Sequence, residues 1–278
     1  MRMSIKLIAL DMDGTTLQGD HASISLRTRR AIRAAIAKGI LIVPATGRLN
    51  SLLPESVMTI EGIRYAITSN GAVTYDLKAN GILYSNYIKQ ELVLDVIQKL
   101  PLDKMLVEIF KDGQLFVERK YLASLSKYPI PFLHLDFLKS IHAQVDRLPD
   151  FIRAHGERIE KINLPYVPPE LRNNLGRELS GLKHISVTSS VPDNMEISGV
   201  NANKGTALQK LCGFLHIPKE NVMALGDNGN DLEMLQFAGV SVAPANGSEE
   251  AKSAATAVTL ANDEDGVALA IEKYALDH

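Results

Sequence analysis

Cysteine is all but missing from this chain: Cys212 stands alone among 278 residues. It has no partner for an intrachain disulfide, which fits a reducing compartment. Tryptophan is absent and aromatic residues make up 5% of the chain, which disfavours a stacking pocket for nucleobases. Neither sign of charge dominates. Lys plus Arg number 30 against 32 Asp plus Glu, a formal net charge of −2, so no positive field recruits nucleic acid or an anionic membrane surface. No apolar run approaches the ~18 residues that a membrane-crossing helix needs. The first four residues lead straight into an apolar stretch without a signal-peptide pattern. Repeats and low-complexity tracts are also missing, and nothing marks an obligate protein partner. These absences predict a cytoplasmic globular protein. With 46% hydrophobic and 22% charged residues, it is long enough for one large or two modest domains.

What is present is organised around one stretch. Leu7-Ile8-Ala9-Leu10 is an apolar run of strand length that stops at Asp11-Met12-Asp13-Gly14-Thr15. Such runs suit a strand buried on both faces of a parallel sheet, and those sheets bind ligands at the carboxyl ends of their strands. In extended chain, residues i and i+2 share a side, so Asp11 and Asp13 are expected close together. Two unit charges about 4 Å apart repel by roughly 4 kcal/mol at an effective dielectric of 20. A fold tolerates that when a cation lies between the carboxylates or when one of them holds a proton.

The rest of the chain supplies both a scaffold and partners. Ile5–Leu10, Ile40–Val43 and Tyr65–Ile67 read as strands, separated by helices over Ser25–Lys38 and Ser51–Ile60. This βαβαβ rhythm predicts a parallel sheet with its loops on one edge. A hairpin follows at Ala72–Tyr75 and Ile82–Tyr84, and the texture then changes to an antiparallel α+β segment. There, Lys111-Asp112-Gly113 is a hairpin signal between Met105–Phe110 and Gln114–Glu118. Strands are expected at Glu160–Leu164 and His184–Thr188, with a helix at about Glu170–Leu182. The alternation resumes near Asp193, with helices at Lys204–Leu215 and Asp231–Ala238, a buried strand at Val222–Leu225 and a terminal helix at about Gly266–Ala275. Cys212 falls on the inward face of its helix and reads as core.

Four loops carry candidate chemistry: Asp11/Asp13, Thr46, Lys204, and Asp227/Asn230/Asp231. Taken singly, each has a plainer reading. Thr46 suits a helix N-cap, and Lys204 suits a solvated first turn. Asp227-Asn228-Gly229-Asn230-Asp231 looks like half a calcium loop. Such a loop needs a bidentate glutamate at its twelfth position, and Ala238 stands there. Taken together they offer carboxylates for a hard cation, a hydroxyl and an ammonium for an anion, and a carboxylate nucleophile. That is a parts list for phosphoryl transfer.

On these residues the chain resembles the haloacid dehalogenase superfamily, in its Cof-like branch of phosphatases with a large C2-type (IIB) cap. Asp11-Met12-Asp13-Gly14-Thr15 matches the first motif, Thr46-Gly47-Arg48 the second, Asn203-Lys204-Gly205 the third, and Gly226-Asp227-Asn228-Gly229-Asn230-Asp231 the fourth. Ser69-Asn70-Gly71-Ala72 and Glu264-Asp265-Gly266-Val267 also resemble this branch. The fold implied is α/β: a doubly wound parallel-sheet, Rossmann-like core over residues 1–83 and 193–278, with an inserted α+β cap domain over 84–192. The resemblance implies Asp11 as the nucleophile that forms an aspartyl-phosphate, and Asp13 as the acid that protonates the leaving oxygen and then activates water. It implies Mg²⁺ held by Asp11, the Asp13 main-chain oxygen, Asp227 and Asp231. Phosphate and substrate contacts would come from Met12, Thr46, Gly47, Arg48, Lys204 and Asn230. Thr15 would orient Asp13.

The implied substrate is a small phosphorylated metabolite, chiefly a sugar phosphate. A phosphomutase using the same aspartyl-phosphate is the nearest alternative. A dehalogenase would leave Asp13 idle, and a non-enzymatic module would usually have lost the nucleophile or a metal ligand. The cap would read the leaving group, with His134, His142, Arg153, His155, Lys161, Tyr166, Asn194 and Glu196 available in or near it.

Overall fold

The computed structural model describes residues 4–122, 140–189 and 193–277. The chain forms two compact units. One combines the stretch up to Ser85 with the stretch from Asn203 onward, and the other is Asn86–Ala202.

The first unit begins with β1 (Leu7–Leu10), α1 (Leu26–Ala37), β2 (Leu41–Pro44), α2 (Glu55–Met58), β3 (Tyr65–Thr68), β4 (Val73–Asp76) and β5 (Gly81–Ser85). The second unit runs through α3 (Gln90–Lys99), β6 (Glu108–Lys111), β7 (Gln114–Glu118), α4 (Arg119–Leu122), β8 (His142–Val145), α5 (Leu148–His155), β9 (Ile159–Leu164), α6 (Pro169–Ser180), β10 (Ile185–Thr188) and β11 (Met195–Gly199). The first unit resumes with α7 (Lys204–Phe214), β12 (Val222–Leu225), α8 (Leu232–Phe237), β13 (Val240–Pro244), α9 (Glu249–Ala254), β14 (Ala257–Thr259) and α10 (Gly266–Ile271).

Five parallel strands order as β14-β13-β12-β1-β2. Successive residues point to opposite faces, and the two faces have separate cores. Ile8, Leu10, Ile42, Met223 and Leu225 pack with residues of α1 and α10. Leu7, Ala9, Val43, Val222 and Ala224 pack with α7, α8 and α9. This burial on both faces explains why β1 and β12 read as unbroken apolar runs. It also leaves their carboxyl ends as the place where polar groups can gather.

In the second unit, a six-stranded mixed sheet orders as β10-β11-β9-β6-β7-β8. Ile109, Ile162 and Ile197 face α3, α5 and α6 in one core. The opposite face carries two cross-strand rows, Glu108–Asn163–Glu196 and Phe110–Lys161–Ser198. Among the described residues, no helix is long and apolar enough to cross a membrane.

Three expectations need correction. The helix over Ser51–Ile60 is broken into a 3-10 turn at Asn50–Leu52 and the short α2, because Pro54 bars residue 53 from the helical region. β3 does not extend the parallel sheet as a full strand. It reaches the β2 side through a single parallel bridge, Ala45 to Ile67, and pairs antiparallel with β4 in a three-stranded sheet. The return to the first unit falls at Asn203 rather than Asp193. Residues 195–199 form β11, which pairs antiparallel with both β9 and β10 and so belongs to the second sheet.

Candidate active site

β1 ends at Leu10; Asp11 and Asp13 keep extended dihedrals, and the chain turns at Gly14. Asp11 caps a single π-type turn, Met12–Thr16, and its N–H donates to the Leu225 carbonyl at 2.9 Å. The turn is closed by the Leu17 N–H donating to the Met12 carbonyl at 2.8 Å. Gly14 sits inside it at φ +82°, where a Cβ would lie 2.5 Å from Asp227 Oδ2. Only glycine permits both that dihedral and that approach. The two carboxylates take different partners. Asp11 turns into the protein and is 5% exposed. The Asp13 side chain stays 39% exposed and faces Arg48 instead.

Lys204 is the first residue of α7, whose N-cap Asn203 accepts a hydrogen bond from the Thr206 N–H at 2.7 Å. Its Nζ donates to Asp11 Oδ1 at 2.5 Å and to Asp231 Oδ1 at 2.6 Å. The lysine is wholly buried, so the solvated-surface reading of a first-turn lysine does not hold. Asp231 closes the 3-10 turn Gly229–Asp231 that follows β12. Its Oδ2 accepts from the backbone N–H groups of Asp227 and Asn228 at 3.0 and 3.1 Å.

Carboxylate oxygens of Asp11, Asp227 and Asp231 lie within 4.8 Å of one another. One ammonium serves this group, so negative charge is in excess. Burial, and next the charge of Asp231, push the Asp11 carboxyl well above the ordinary carboxylate range, with Lys204 working against them. Burial and Asp231 likewise raise Asp227. Burial alone would lower the Lys204 ammonium, but Asp11 and Asp231 outweigh it and raise it. A hard divalent cation fits this donor set: all-oxygen, carboxylate-rich and short of positive charge.

Thr46 follows β2 and is 1% exposed. Its hydroxyl accepts from the Arg48 N–H at 3.1 Å. Its carbonyl accepts from the Asn70 N–H at 3.0 Å. Gly47 lies between these two residues in the same loop. Asn70 Oδ1 accepts from Asn230 Nδ2 at 3.1 Å, which joins the loops after β3 and β12. The structure therefore brings Asp11, Lys204, Asp227 and Asp231 into direct contact or close range, with Thr46 and Asn230 held by their neighbours. Met12 is fully buried at the head of the turn.

Arg48 is occupied differently from the expected phosphate or substrate contact. Its Nε and Nη2 donate to the two Asp13 oxygens at 2.8 and 2.5 Å, and Nη2 also donates to the His21 carbonyl. His21 Nδ1 stands 3.0 Å from Asp13 Oδ1. Burial acts to raise the Asp13 carboxyl, but the Arg48 fork and His21 overcome it and hold the group below its ordinary value. Asp13 is thus ionised in this arrangement. Thr15 donates to Asp227 Oδ1 at 2.7 Å. The Thr16 hydroxyl donates to the Asp11 carbonyl. His21 carries no sequence signal, since nothing in Gly19-Asp20-His21 indicates that the loop folds back on Asp13.

In the second unit, Lys161 pairs with Glu196 and lies 4.4 Å from the Phe110 ring centroid. His142 Nε2 stands 2.8 Å from Glu108 Oε1, and Asn163 Nδ2 donates to Glu108 Oε2 at 2.6 Å. These residues share the polar sheet face. Arg153 and His155 lie apart from them on α5, in the helical layer. Asn194 accepts from the Ser189 hydroxyl at 3.0 Å. His134 lies outside the described residues.

A family model for haloacid dehalogenase-like hydrolases matches residues 8–271. Phosphatase YwpJ of Bacillus subtilis is 32% identical, over 95% of this chain and 98% of its own. The 5-amino-6-(5-phospho-D-ribitylamino)uracil phosphatase YcsE of the same organism is also 32% identical, over 99% and 97%. A solved haloacid dehalogenase-like hydrolase from B. subtilis superposes with a TM-score of 0.79 at 31% identity, covering 96% of this chain and 99% of that one. The chain belongs to the haloacid dehalogenase-like hydrolase family and is a phosphatase, a hydrolase of phosphoric monoesters.

Proposed function

We propose that this phosphatase is Mg²⁺-dependent and works through a phosphoryl group carried on Asp11. The reading rests above all on Lys204, a buried ammonium lodged between Asp11 and Asp231 at 2.5 and 2.6 Å while Asp227 completes a carboxylate group around them. A lysine so placed holds and orients one Asp11 oxygen and works against the burial that favours the protonated acid. The Asp11 side chain, Asp227 and Asp231 would hold Mg²⁺ with the Asp13 main-chain oxygen. When bound, the cation screens the carboxylates against an approaching phosphate dianion.

Asp11 then attacks phosphorus, and the bond from phosphorus to the ester oxygen breaks. Asp13 gives a proton to that leaving oxygen. In the second half, Asp13 takes a proton from water as its oxygen attacks phosphorus, the bond from Asp11 to phosphorus breaks, and inorganic phosphate leaves. Thr46, the Met12 and Gly47 amides, Lys204 and Asn230 hold the phosphoryl oxygens. Asp13 must leave the Arg48 fork and gain a proton before its first step, which frees Arg48 for a second anionic group.

The substrate is a small phosphorylated metabolite, and sugar or sugar-alcohol phosphates come first. A relative's name carries a 5-phospho-D-ribityl group. The experiment is hydrolysis of p-nitrophenyl phosphate with and without MgCl₂ by the wild type and by Asp11→Asn, followed by a panel of phosphorylated metabolites ranked by kcat/KM. The expected result is metal-dependent turnover that falls more than about 10³-fold in the variant at unchanged far-UV circular dichroism. Turnover that survives the substitution would remove Asp11 from the reaction.

A further inference from the structure

Two asparagines outside the motifs hold the backbone of the turn that carries Asp11 and Asp13. The Asn246 Nδ2 donates to the Gly14 carbonyl at 2.8 Å. The Asn262 Nδ2 donates to the Leu17 carbonyl at 2.7 Å. The two are joined, since the Asn262 N–H donates to Asn246 Oδ1 at 3.0 Å. That bond fixes which end of the Asn246 amide is which: its oxygen is taken, so its NH₂ faces Gly14. Asn246 lies just beyond β13 and Asn262 just beyond β14. Both side chains therefore reach past the β12 loop to the turn after β1.

The same short loop also grips the other half of the site. The Ser248 N–H donates to the Asp227 carbonyl at 2.8 Å. Gly14 and Asp227 are thus fixed to a common support as well as to each other, since the Gly14 Cα sits against the Asp227 carboxylate. Two turn carbonyls that the π-type turn leaves unpaired are satisfied by these side chains. The Gly14 bond and the link between the asparagines lie at the exposed edge of the loops and the Leu17 bond is half-buried, so without them water or a shifted backbone would satisfy these groups.

We propose that Asn246 and Asn262 form a relay of positioning residues that sets the spacing between the Asp11–Asp13 turn and the Asp227 loop. Neither touches the reacting atoms. The relay acts on how well the carboxylates converge on a divalent cation and on how Asp11 is aimed, so it rests on the function proposed above. A displacement of under an ångström in such a site is enough to lower kcat while leaving the substrate contacts of other loops alone.

The test compares the full-length wild type with Asn246→Ala, Asn262→Ala and the double variant. MgCl₂ binding is measured by isothermal titration calorimetry, kinetics with p-nitrophenyl phosphate at saturating MgCl₂, and Tm by thermal melting. Each single variant should bind Mg²⁺ about fivefold to tenfold more weakly and lose about tenfold in kcat, the scale of one lost hydrogen bond, with KM nearly unchanged. Tm should stay within about 3 °C. Because the two are linked, the double variant should be little worse than the poorer single one. Wild-type Mg²⁺ affinity and kcat in both single variants, with or without a lowered Tm, would overturn the relay while leaving the metal site standing. Losses that multiply fully in the double variant would overturn the linkage. A wild type that binds no Mg²⁺ would overturn the metal reading and the relay with it.

Discussion

Lys204 sets the charge balance of the site. It is wholly buried, with two carboxylates on its ammonium. Breaking a buried ion pair by removing one partner typically destabilises by about 3–5 kcal/mol, because the other charge is left buried and uncompensated. Lys204→Met keeps the volume and removes the charge, so a loss of this size is expected in urea denaturation without metal. MgCl₂ should recover part of it by replacing the missing positive charge. A variant equally destabilised with and without MgCl₂ would mean that no cation reaches Asp11. Arg48 is the contrasting case. Its pair with Asp13 is partly exposed, at 25% and 39% of the two side chains, and such pairs contribute little to stability. Arg48→Ala should leave Tm almost unchanged. It should raise the Asp13 carboxyl toward its ordinary value, because the guanidinium that holds it down is gone. With Asp13 as the acid, activity falls as pH rises past its pKa. Raising that pKa moves this limb of the kcat/KM profile to higher pH, and a profile that does not move would exclude Asp13 as the acid.

Elements bring these residues together by close backbone approach, and glycines mark the places. Gly71 has φ +90°, and a Cβ there would run into the Asn203 carbonyl at the start of α7. Gly71→Ala is therefore expected to destabilise by more than the ~1 kcal/mol of an unfavourable dihedral alone, and to displace Lys204. A thermal melt alongside Mg²⁺-dependent turnover checks both effects. A melt unchanged from wild type would show that the loop after β3 yields at no cost. This kind of dependence explains which parts of the architecture were legible in the sequence. β1 and β12 read clearly as apolar runs because both their faces are buried, and their ends located Asp11 and Asp227. The edge strand β14 has no such signal, because Ala257-Val258-Thr259 is short and half exposed. β11 carries no local mark of which unit it joins. Its Met195 and Ile197 look like any core strand, and only pairing with β9 decides where it belongs. Within the site, Asp11, Lys204, Asp227 and Asp231 stood at recognisable spacings. His21, Asn246 and Asn262 act through loops whose paths no local pattern encodes, and nothing local marks Arg48 and His21 as the partners of Asp13.

At the scale of the molecule, the two units differ in how they depend on the chain. The second unit draws its core from one continuous stretch, Ile88 to Ile197. The first joins residues such as Ile8 and Ile32 to Met223 and Ile271, from either side of that stretch. All of Asp11, Asp227 and Asp231 lie in the first unit, so a cation bound there stabilises that unit directly. At a hundred times its Kd, a ligand that binds only the folded form adds about 2.7 kcal/mol. Hydrogen exchange in saturating MgCl₂ should slow in β1, β12 and their flanking helices and change far less in β6, β9 and β11. The effect also has a definite sign with pH. Asp11 and Asp227 titrate above their unfolded values, so between about 3.9, the ordinary carboxylate pKa, and those raised values the metal-free native protein holds more protons than the unfolded chain. Its stability therefore falls as pH rises through that window. Mg²⁺ competes with the same protons, so its binding strengthens as they leave. The gap in Tm with and without MgCl₂ should consequently widen as pH rises above the ordinary carboxylate value of about 3.9. A gap that stays constant from there to neutral pH would place the cation on groups other than Asp11 and Asp227.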